Sequence, residues 1–386
     1  MQARHAKRGS VVYVELEATG EMRITRSFRL GNVPIGGGAP VSVQSMTNAE
    51  PHDAAAALRQ IAELAAAGCQ IVRTAVPDAD AVPVFAEIAR HSPLPVIADI
   101  HFDYRLAVAA IGAGACGVRI NPGNVGARWK VEEIARAAAA HDIPVRVGVN
   151  AGSLEKALLT RFAGPTPEAL VESALRGCET VEKGGCSKIK VSLKSSRVPA
   201  TVAAYRLFAA RTDYPLHIGI TEAGTRRSGI VKSAVGIGCL LLEGIGDTLR
   251  VSLTAPPVEE VRVGIRILEA AGRREASPEV VSCPTCGRTQ IDLVTLAEAV
   301  EAEIDRLKAA GCRINLRKIA VMGCAVNGPG EARDADLGIA GGTGKGVLFK
   351  HGKVLKTLPE AELLPALIAE IRAAAWPANA SGGKRS

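Results

Sequence analysis

The chain has 386 residues, 47% of them apolar, 22% charged and only 3% aromatic, with a formal net charge of +8. That length exceeds what one core usually serves, so two domains are expected. No apolar run reaches transmembrane length, and the basic start "MQARHAKRGS" lacks the apolar stretch of a signal peptide, so a cytoplasmic protein is expected. Scarce aromatics, and no Lys/Arg block beyond the short basic ends, argue against nucleic acid. The positive charge leaves an anionic small molecule, an acidic partner or plain solubility.

In chain order, residues 1–28 read as an N-terminal arm. Residues 29–272 read as the barrel domain, and between 41 and 270 one unit recurs: a short β-branched run, a polar loop, then an alanine-rich stretch of helical spacing. The strand candidates are "VSVQSMT", "QIVRTAV", "PVIADIH", "CGVRINP", "PVRVGVN", "KIKVSLK", "LHIGITE" and "TLRVSLT". Strands separated by helices must run parallel, and eight such units are the count that closes a (β/α)8 TIM-like barrel. An open doubly wound sheet is the competing fold, but it rarely runs to eight uninterrupted units. The stretch "SAVGIGCLLLEGIG" reads as a buried helix. "AGRREASPEV" (271–280) is polar, carries a proline and reads as a linker. A small α/β domain is expected over 273–376: a helix over 289–310, the strand "KIAVMG", a glycine-rich region, a hairpin in "GVLFKHGKVLKTL" and a closing helix from 358. Residues 377–386 read as a disordered tail.

The barrel strands carry charges where apolar residues are the rule. Side chains two apart share a face, so Arg119 goes with Asn121, Arg146 with Asn150, Lys190 with Ser192 and Lys194, and Arg250 with Ser252. Arg73, Asp99 and Glu222 lie on or just past other strands. A buried charge must be paired, solvated or turned toward a ligand. Six cations (Arg73, Arg119, Arg146, Lys190, Lys194, Arg250) against two carboxylates suit a polyanion such as a diphosphate, bound at the carboxyl ends of barrel strands. The acids and asparagines could hold hydroxyls or move protons. The bland alternative places some of these cations outside, paired with helix acids. His101 is either a base or a hydrogen-bonded strand-end histidine. "GGTGKG" (341–346) lacks the Ser or Thr of a phosphate loop and reads as a mobile turn.

Nine cysteines without a secretory signal argue against a disulfide framework. Cys69, Cys116, Cys178, Cys186 and Cys239 read as inert core residues. Cys283 and Cys286 form one C-x-x-C, and only Cys312 and Cys324 follow it. All four together would make a structural zinc site. Cys324, however, enters the sharp turn "CAVNGPGE", with Glu331 seven residues on, whereas Cys312 follows a helix end. Three thiolates and a carboxylate point instead to an iron–sulfur cluster.

"VQSMTN", "VRTAVP", "ADIHFDYR", "RINPGN", "GVNAGSLE", "HIGITEAG", "EGIGDTLRVSL", "CPTCGR" and "GCAVNGPGE", in this order, resemble the 4-hydroxy-3-methylbut-2-enyl diphosphate synthase family in its two-domain bacterial form, over about residues 29–375. The resemblance implies a [4Fe–4S] cluster held by Cys283, Cys286, Cys324 and Glu331, with no role for Cys312. It implies a substrate grip by Arg73, Arg119, Arg146, Lys194, Arg250 and Ser252, with Asn121 and Asn150 in the same pocket, Asn327 near the cluster and Glu222 as proton donor. The implied reaction is reductive ring opening and dehydration of 2-C-methyl-D-erythritol 2,4-cyclodiphosphate by an oxidoreductase. The implied partners are reduced flavodoxin or ferredoxin and a second copy of the chain in a head-to-tail homodimer. "TNAEPHD" in the first loop departs from the family pattern.

Overall fold

The structure, a computed structural model, describes residues 22–274, 278–324 and 332–377. Most of the expected arm and all but the first residue of the expected tail lie outside these. So do Asn327 and Glu331. The chain forms two compact units that divide between Arg273 and Arg274. No described helix is long and apolar enough to cross a membrane.

The first unit opens with a hairpin of β1 (Phe28–Leu30) and β2 (Val33–Ile35). Leu30 and Ile35 pack on Ile71 and Ile97, an apolar plug at the amino-terminal end of the strands that follow. These are β3 (Ser42–Met46), β4 (Ile71–Ala75), β5 (Val96–Asp99), β6 (Gly117–Ile120), β7 (Val145–Asn150), β8 (Ile189–Lys194), β9 (His217–Ile218) and β10 (Thr248–Leu249). Each lies in one of the eight expected segments. They pair in parallel in the order β8-β7-β6-β5-β4-β3-β10-β9. A parallel bridge between Val191 and Leu216 closes the ring, with the Val191 N–H donating to the Pro215 carbonyl at 2.9 Å.

The alternation of side chains decides what each face buries. Val72, Val96, Val118, Val145, Val147, Ile189 and Val191 join the large core shared with the helices. Each fully buried side chain of this size contributes about 1.5–3 kcal/mol. The helices start on local signals: Asp53, Asp103 and Thr166 accept from backbone N–H groups, and prolines open the helices Pro167–Lys183 and Pro257–Ala270. One sequence expectation is corrected. The helix Arg226–Leu242, read as buried, exposes Val231, Val235 and Leu242 along one side.

In the second unit β11 (Glu279–Ser282), β13 (Lys318–Met322), β14 (Leu337–Gly342), β15 (Lys345–Lys350) and β16 (Lys353–Pro359) form one sheet in that order. β11, β13 and β14 are mutually parallel; β15 and β16 continue the sheet antiparallel. β12 (Cys312–Ile314) pairs with β17 (Ala375–Pro377). The helices Leu293–Ala309 and Glu360–Ala373 share a core with Ile319, Val321, Ile339 and Leu348. Ala320, Met322, Ala340 and Phe349 pack in a further cluster with Ala332 and Ala335. The expected linker to residue 280 is shorter than read, because Glu279 and Val280 already belong to β11.

Candidate functional site

The barrel positions its polar residues by register. Arg119 of β6 lies opposite Asp99 of β5 and Arg146 of β7, and Arg146 lies opposite Lys190 of β8. Asn150 and Lys194 pair at the carboxyl ends of β7 and β8. Arg73, Asp99, Arg119, Arg146, Lys190 and Lys194 are all buried. Small residues make room for them: a Cβ on Gly148 would come within 2.9 Å of Arg119 Nε, and one on Gly219 within 2.9 Å of Lys194 Nζ.

Asp99 is the hub of one sector. Arg119 Nη1 donates to its Oδ1 at 3.2 Å, and Arg73 Nε lies 3.5 Å from its Oδ2. His101 Nε2, half-exposed, stands 3.8 Å from the same oxygen. Burial alone would raise the Asp99 carboxyl, but the charges of Arg73, Arg119 and Arg146 hold it down at about 2. Arg73 also donates from Nη2 to Met46 Sδ at 3.1 Å, and burial lowers it to about 10.

The opposite sector has cations without acids. Nε and Nη1 of Arg146 and Nζ of Lys190 are buried and make no hydrogen bond among the described residues, and the same holds for the amide of Gln44 and Nε2 of His217. Burial, then the Arg146 charge, pushes the Lys190 ammonium down to about 7. Lys194 is driven well below the usual lysine range by burial and by Arg146 and Arg250. Burial, and then the charges of Lys194, Arg146 and Lys190, also keep His217 far below its ordinary range. A layer of buried N–H donors with so few acceptors fits an anion.

The remaining candidates stand at the strand ends. Asn121 caps the short helix Pro122–Val125 and donates from Nδ2 to Ser153 Oγ at 2.6 Å. Arg250 and Ser252 follow β10 and are partly buried, with the Arg250 N–H donating to the Ile218 carbonyl. Glu222 lies past β9, exposed, in a left-handed backbone conformation (φ 51°). Among the described residues no hydrogen bond or ion pair ties it to the cations above.

The sequence reading missed one acid. Glu260, in the first turn of the helix Pro257–Ala270, accepts from Arg250 Nη2 at 3.1 Å and from the Leu253 N–H at 2.9 Å. Its placement ten residues after Arg250, in the first turn of a proline-started helix, was the available signal.

In the second unit Cys283 follows β11 and Cys324 follows β13. Ser282 pairs with Val321, so both thiols leave the same end of adjacent parallel strands. The Gly323 N–H donates to Cys283 Sγ at 3.3 Å. The knuckle closes through Cys286 N–H to Thr289 Oγ1 (3.1 Å), and Gln290 N–H to the Gly323 carbonyl (2.9 Å) pins it beside β13. Hydrogen bonds from the Arg288 backbone and side chain pull the exposed Cys286 thiol below its usual range. Cys312 opens β12, which precedes the start of β13, at the other end of that strand from Cys324. Among the described residues no three His, Cys, Asp or Glu side chains are gathered as a metal-holding group. The donor chemistry still fits a sulfur-ligated group: three thiols at one sheet end, one taking a backbone N–H. Of the five cysteines read as inert core, Cys239 departs, its sulfur meeting Arg206 and Glu243 at the surface.

A closed parallel barrel with unneutralised cations in its lumen, on a chain that also carries a thiol-bearing α/β unit, defines a barrel enzyme built for an anionic substrate. The chain belongs to the GcpE family: the GcpE TIM-barrel domain matches residues 25–265 and the GcpE protein C-terminal domain residues 279–373. It is 59% identical, over 90% of its length and 97% of the relative's, to a Geobacter sulfurreducens protein named 4-hydroxy-3-methylbut-2-en-1-yl diphosphate synthase (flavodoxin). Proteins of the same name from Caldanaerobacter subterraneus subsp. tengcongensis (53%; 90% of this chain, 97% of that one) and Frankia alni (54%; 94% and 93%) are similar to it as well. A solved dihydropteroate synthase from Xanthomonas albilineans covers 66% of this chain and 100% of its own at 14% identity and a TM-score of 0.47, too slight a likeness to add to the barrel seen directly.

Proposed function

We propose that this chain is the oxidoreductase that opens the ring of 2-C-methyl-D-erythritol 2,4-cyclodiphosphate, with loss of water and uptake of two electrons, giving 4-hydroxy-3-methylbut-2-enyl diphosphate for isoprenoid synthesis. The observation that carries this reading is the barrel lumen, where Arg73, Arg119, Arg146, Lys190 and Lys194 are buried and, among the described residues, Asp99 is the one acid within ion-pair distance of any of them. An empty lumen bears the cost of those desolvated charges, and a diphosphate removes it.

Arg73, Arg119, Arg146, Lys194, Arg250 and Ser252 grip the diphosphate, and Asn121 and Asn150 orient the carbon skeleton. Glu222 donates the proton, its exposed loop position leaving it free to meet substrate and solvent. Residues 29–272 form the binding domain, and 273–376 the domain whose Cys283, Cys286, Cys324 and Glu331 hold a [4Fe–4S] cluster, with Asn327 close by. When bound, that cluster supplies electrons one at a time. Cys312, at the far end of β13, speaks against a four-cysteine zinc site.

Val235 and Leu242 of the helix Arg226–Leu242, with Val263 and Ile267 of the next helix, line a groove of about 670 Å³ that supports a homodimer. The chain works in the cytoplasm with reduced flavodoxin or ferredoxin as donor. Purification without oxygen, followed by iron, sulfide and zinc analysis and an assay on the cyclodiphosphate, tests the reading. Brown protein with about four irons and turnover is expected; pale protein with zinc on all four late cysteines overturns it. Glu331→Cys should retain iron and sulfide but lose turnover, and full activity would refute the role given to that carboxylate.

A further inference from the structure

The second unit carries a charged surface that the reaction leaves unused. Residues 337–359 contain four lysines and no acid; the next carboxylate is Glu360. Lys345, Lys350, Lys353 and Lys356 are all exposed on the β15–β16 hairpin, and none is paired with a carboxylate among the described residues. Lys350 lies directly opposite Lys353, so like charges face each other across the ladder. Such a pairing is unfavourable in isolation.

Lysines on an edge strand ordinarily serve to repel other edges. That reading accounts for the charges but not for what lies between them. Val354 and Leu355, 54% and 48% exposed, are flanked by Lys353 and Lys356. Lys356 pairs with Leu348 and Val354 with Phe349, so Leu355 is the extra, unpaired residue of a bulge on this edge strand, where the regular alternation of faces is interrupted. A protective edge has no use for an exposed apolar pair. An interface does: an apolar centre inside a charged rim is its usual anatomy.

The hairpin also lies on the sheet that presents the three thiols. Met322 pairs with Ala340 and Gly342 with Lys345, so Lys345 stands at the end of the sheet where Cys324 leaves β13. β16 is three strands from β13, about 14 Å across the sheet. Lys350 and Lys353 close the hairpin at the other end, level with Ile319, so a protein resting along this edge reaches from that turn to the thiol end at Lys345.

We propose that the β15–β16 hairpin is the docking surface for the electron donor, an acidic flavoprotein of the flavodoxin class. This rests on the function proposed above. Four unpaired cations select an acidic face and speed its encounter, and Val354 and Leu355 supply the contact that holds it. The donor carries in two electrons, one per encounter if it cycles between its fully reduced and one-electron-oxidised forms.

The test compares full-length protein, purified without oxygen, with its Lys353→Glu/Lys356→Glu variant. Binding of a reduced flavodoxin is measured by surface plasmon resonance at low and high salt. The variant is expected to bind at least about tenfold more weakly at low salt, with a flatter salt dependence. Leu355→Ser is expected to weaken binding without changing the salt slope. Turnover driven by a small chemical reductant should match wild type in both. A matched charge change elsewhere, Lys130→Glu/Lys183→Glu, should leave donor binding intact. Affinity within twofold of wild type in the hairpin variant overturns the proposal. So does loss of self-association in that variant with donor binding unchanged, which would make the edge a contact between copies. Iron content and visible absorption are read separately, so a protein without a cluster sinks the function proposed above while the binding result still judges the surface.

Discussion

Two sectors of one barrel lumen treat buried cations in opposite ways. Around β4–β6, Arg73 and Arg119 converge on Asp99, which their charges hold ionised down to about pH 2. Around β7–β8, Arg146, Lys190 and Lys194 have no carboxylate within ion-pair distance among the described residues, and Lys190 falls to about 7. The first sector is half neutralised, one carboxylate serving two guanidiniums, and Arg73 Nη1 and Arg119 Nε still find no partner among the described residues. The second keeps its donors open, which costs stability and leaves them for a ligand.

The largest effect should come from breaking the paired sector. Asp99→Asn leaves two buried guanidiniums unneutralised and should cost about 3–5 kcal/mol in denaturant unfolding of the first unit. The pH dependence follows from the direction of the shift. The folded carboxyl lies near 2 against an ordinary 3.8, so its contribution is whole above about pH 4. It is lost as pH falls toward 2. The Asn variant should lack that acid slope; a wild-type slope in the variant would mean Asp99 does not carry it.

The unpaired sector should respond with the opposite sign. A folded-state value near 7 against 10.5 means that the unfolded chain holds the Lys190 proton across that window and the folded chain does not. Stability therefore rises with pH from about 7 to about 10.5. Lys190→Met should raise stability by roughly 4 kcal/mol near pH 7 and by almost nothing above pH 10.5. A variant less stable than wild type at pH 7 would show that the ammonium is satisfied inside the lumen.

Inorganic pyrophosphate sharpens the same contrast. At about one hundred times its Kd a ligand adds about 2.7 kcal/mol. Arg146→Met and Lys194→Met should forfeit most of that gain in a thermal melt, since they remove uncommitted donors. Equal stabilisation of wild type and both variants would place the anion elsewhere.

How much of this could be read from sequence depends on how local each cause is. The eight strands announced themselves because every one carries its β-branched run, and the inward cations followed from period-two counting. β1 and β2 escaped because three-residue strands have no periodicity to detect. Glu260 escaped because its partner Arg250 stands just past β10, and pairing from a strand end to the following helix is set by packing. The buried reading of the helix Arg226–Leu242 failed through composition: glycines and leucines look the same in a core as on an unpartnered face. Cys312 and Cys324 could be separated by chain order alone, since β13 lies between them.

The smallest expected effect isolates space from charge. Gly148 sits in β7, where the unpaired sector meets β6, and a Cβ there would come 2.9 Å from Arg119 Nε and 3.3 Å from Ser192 Oγ. Its φ is not positive, so Gly148→Ala introduces no backbone strain and tests side-chain room alone. Arg119 can yield only by shifting its guanidinium, which is held by Asp99 at 3.2 Å. The variant should lose about 1 kcal/mol of stability through overpacking. It should also bind pyrophosphate more weakly, because the displaced guanidinium tilts the paired sector against the open one. If Gly148→Ala loses stability but binds pyrophosphate as wild type does, the two sectors are mechanically independent, and only the unpaired one serves the ligand.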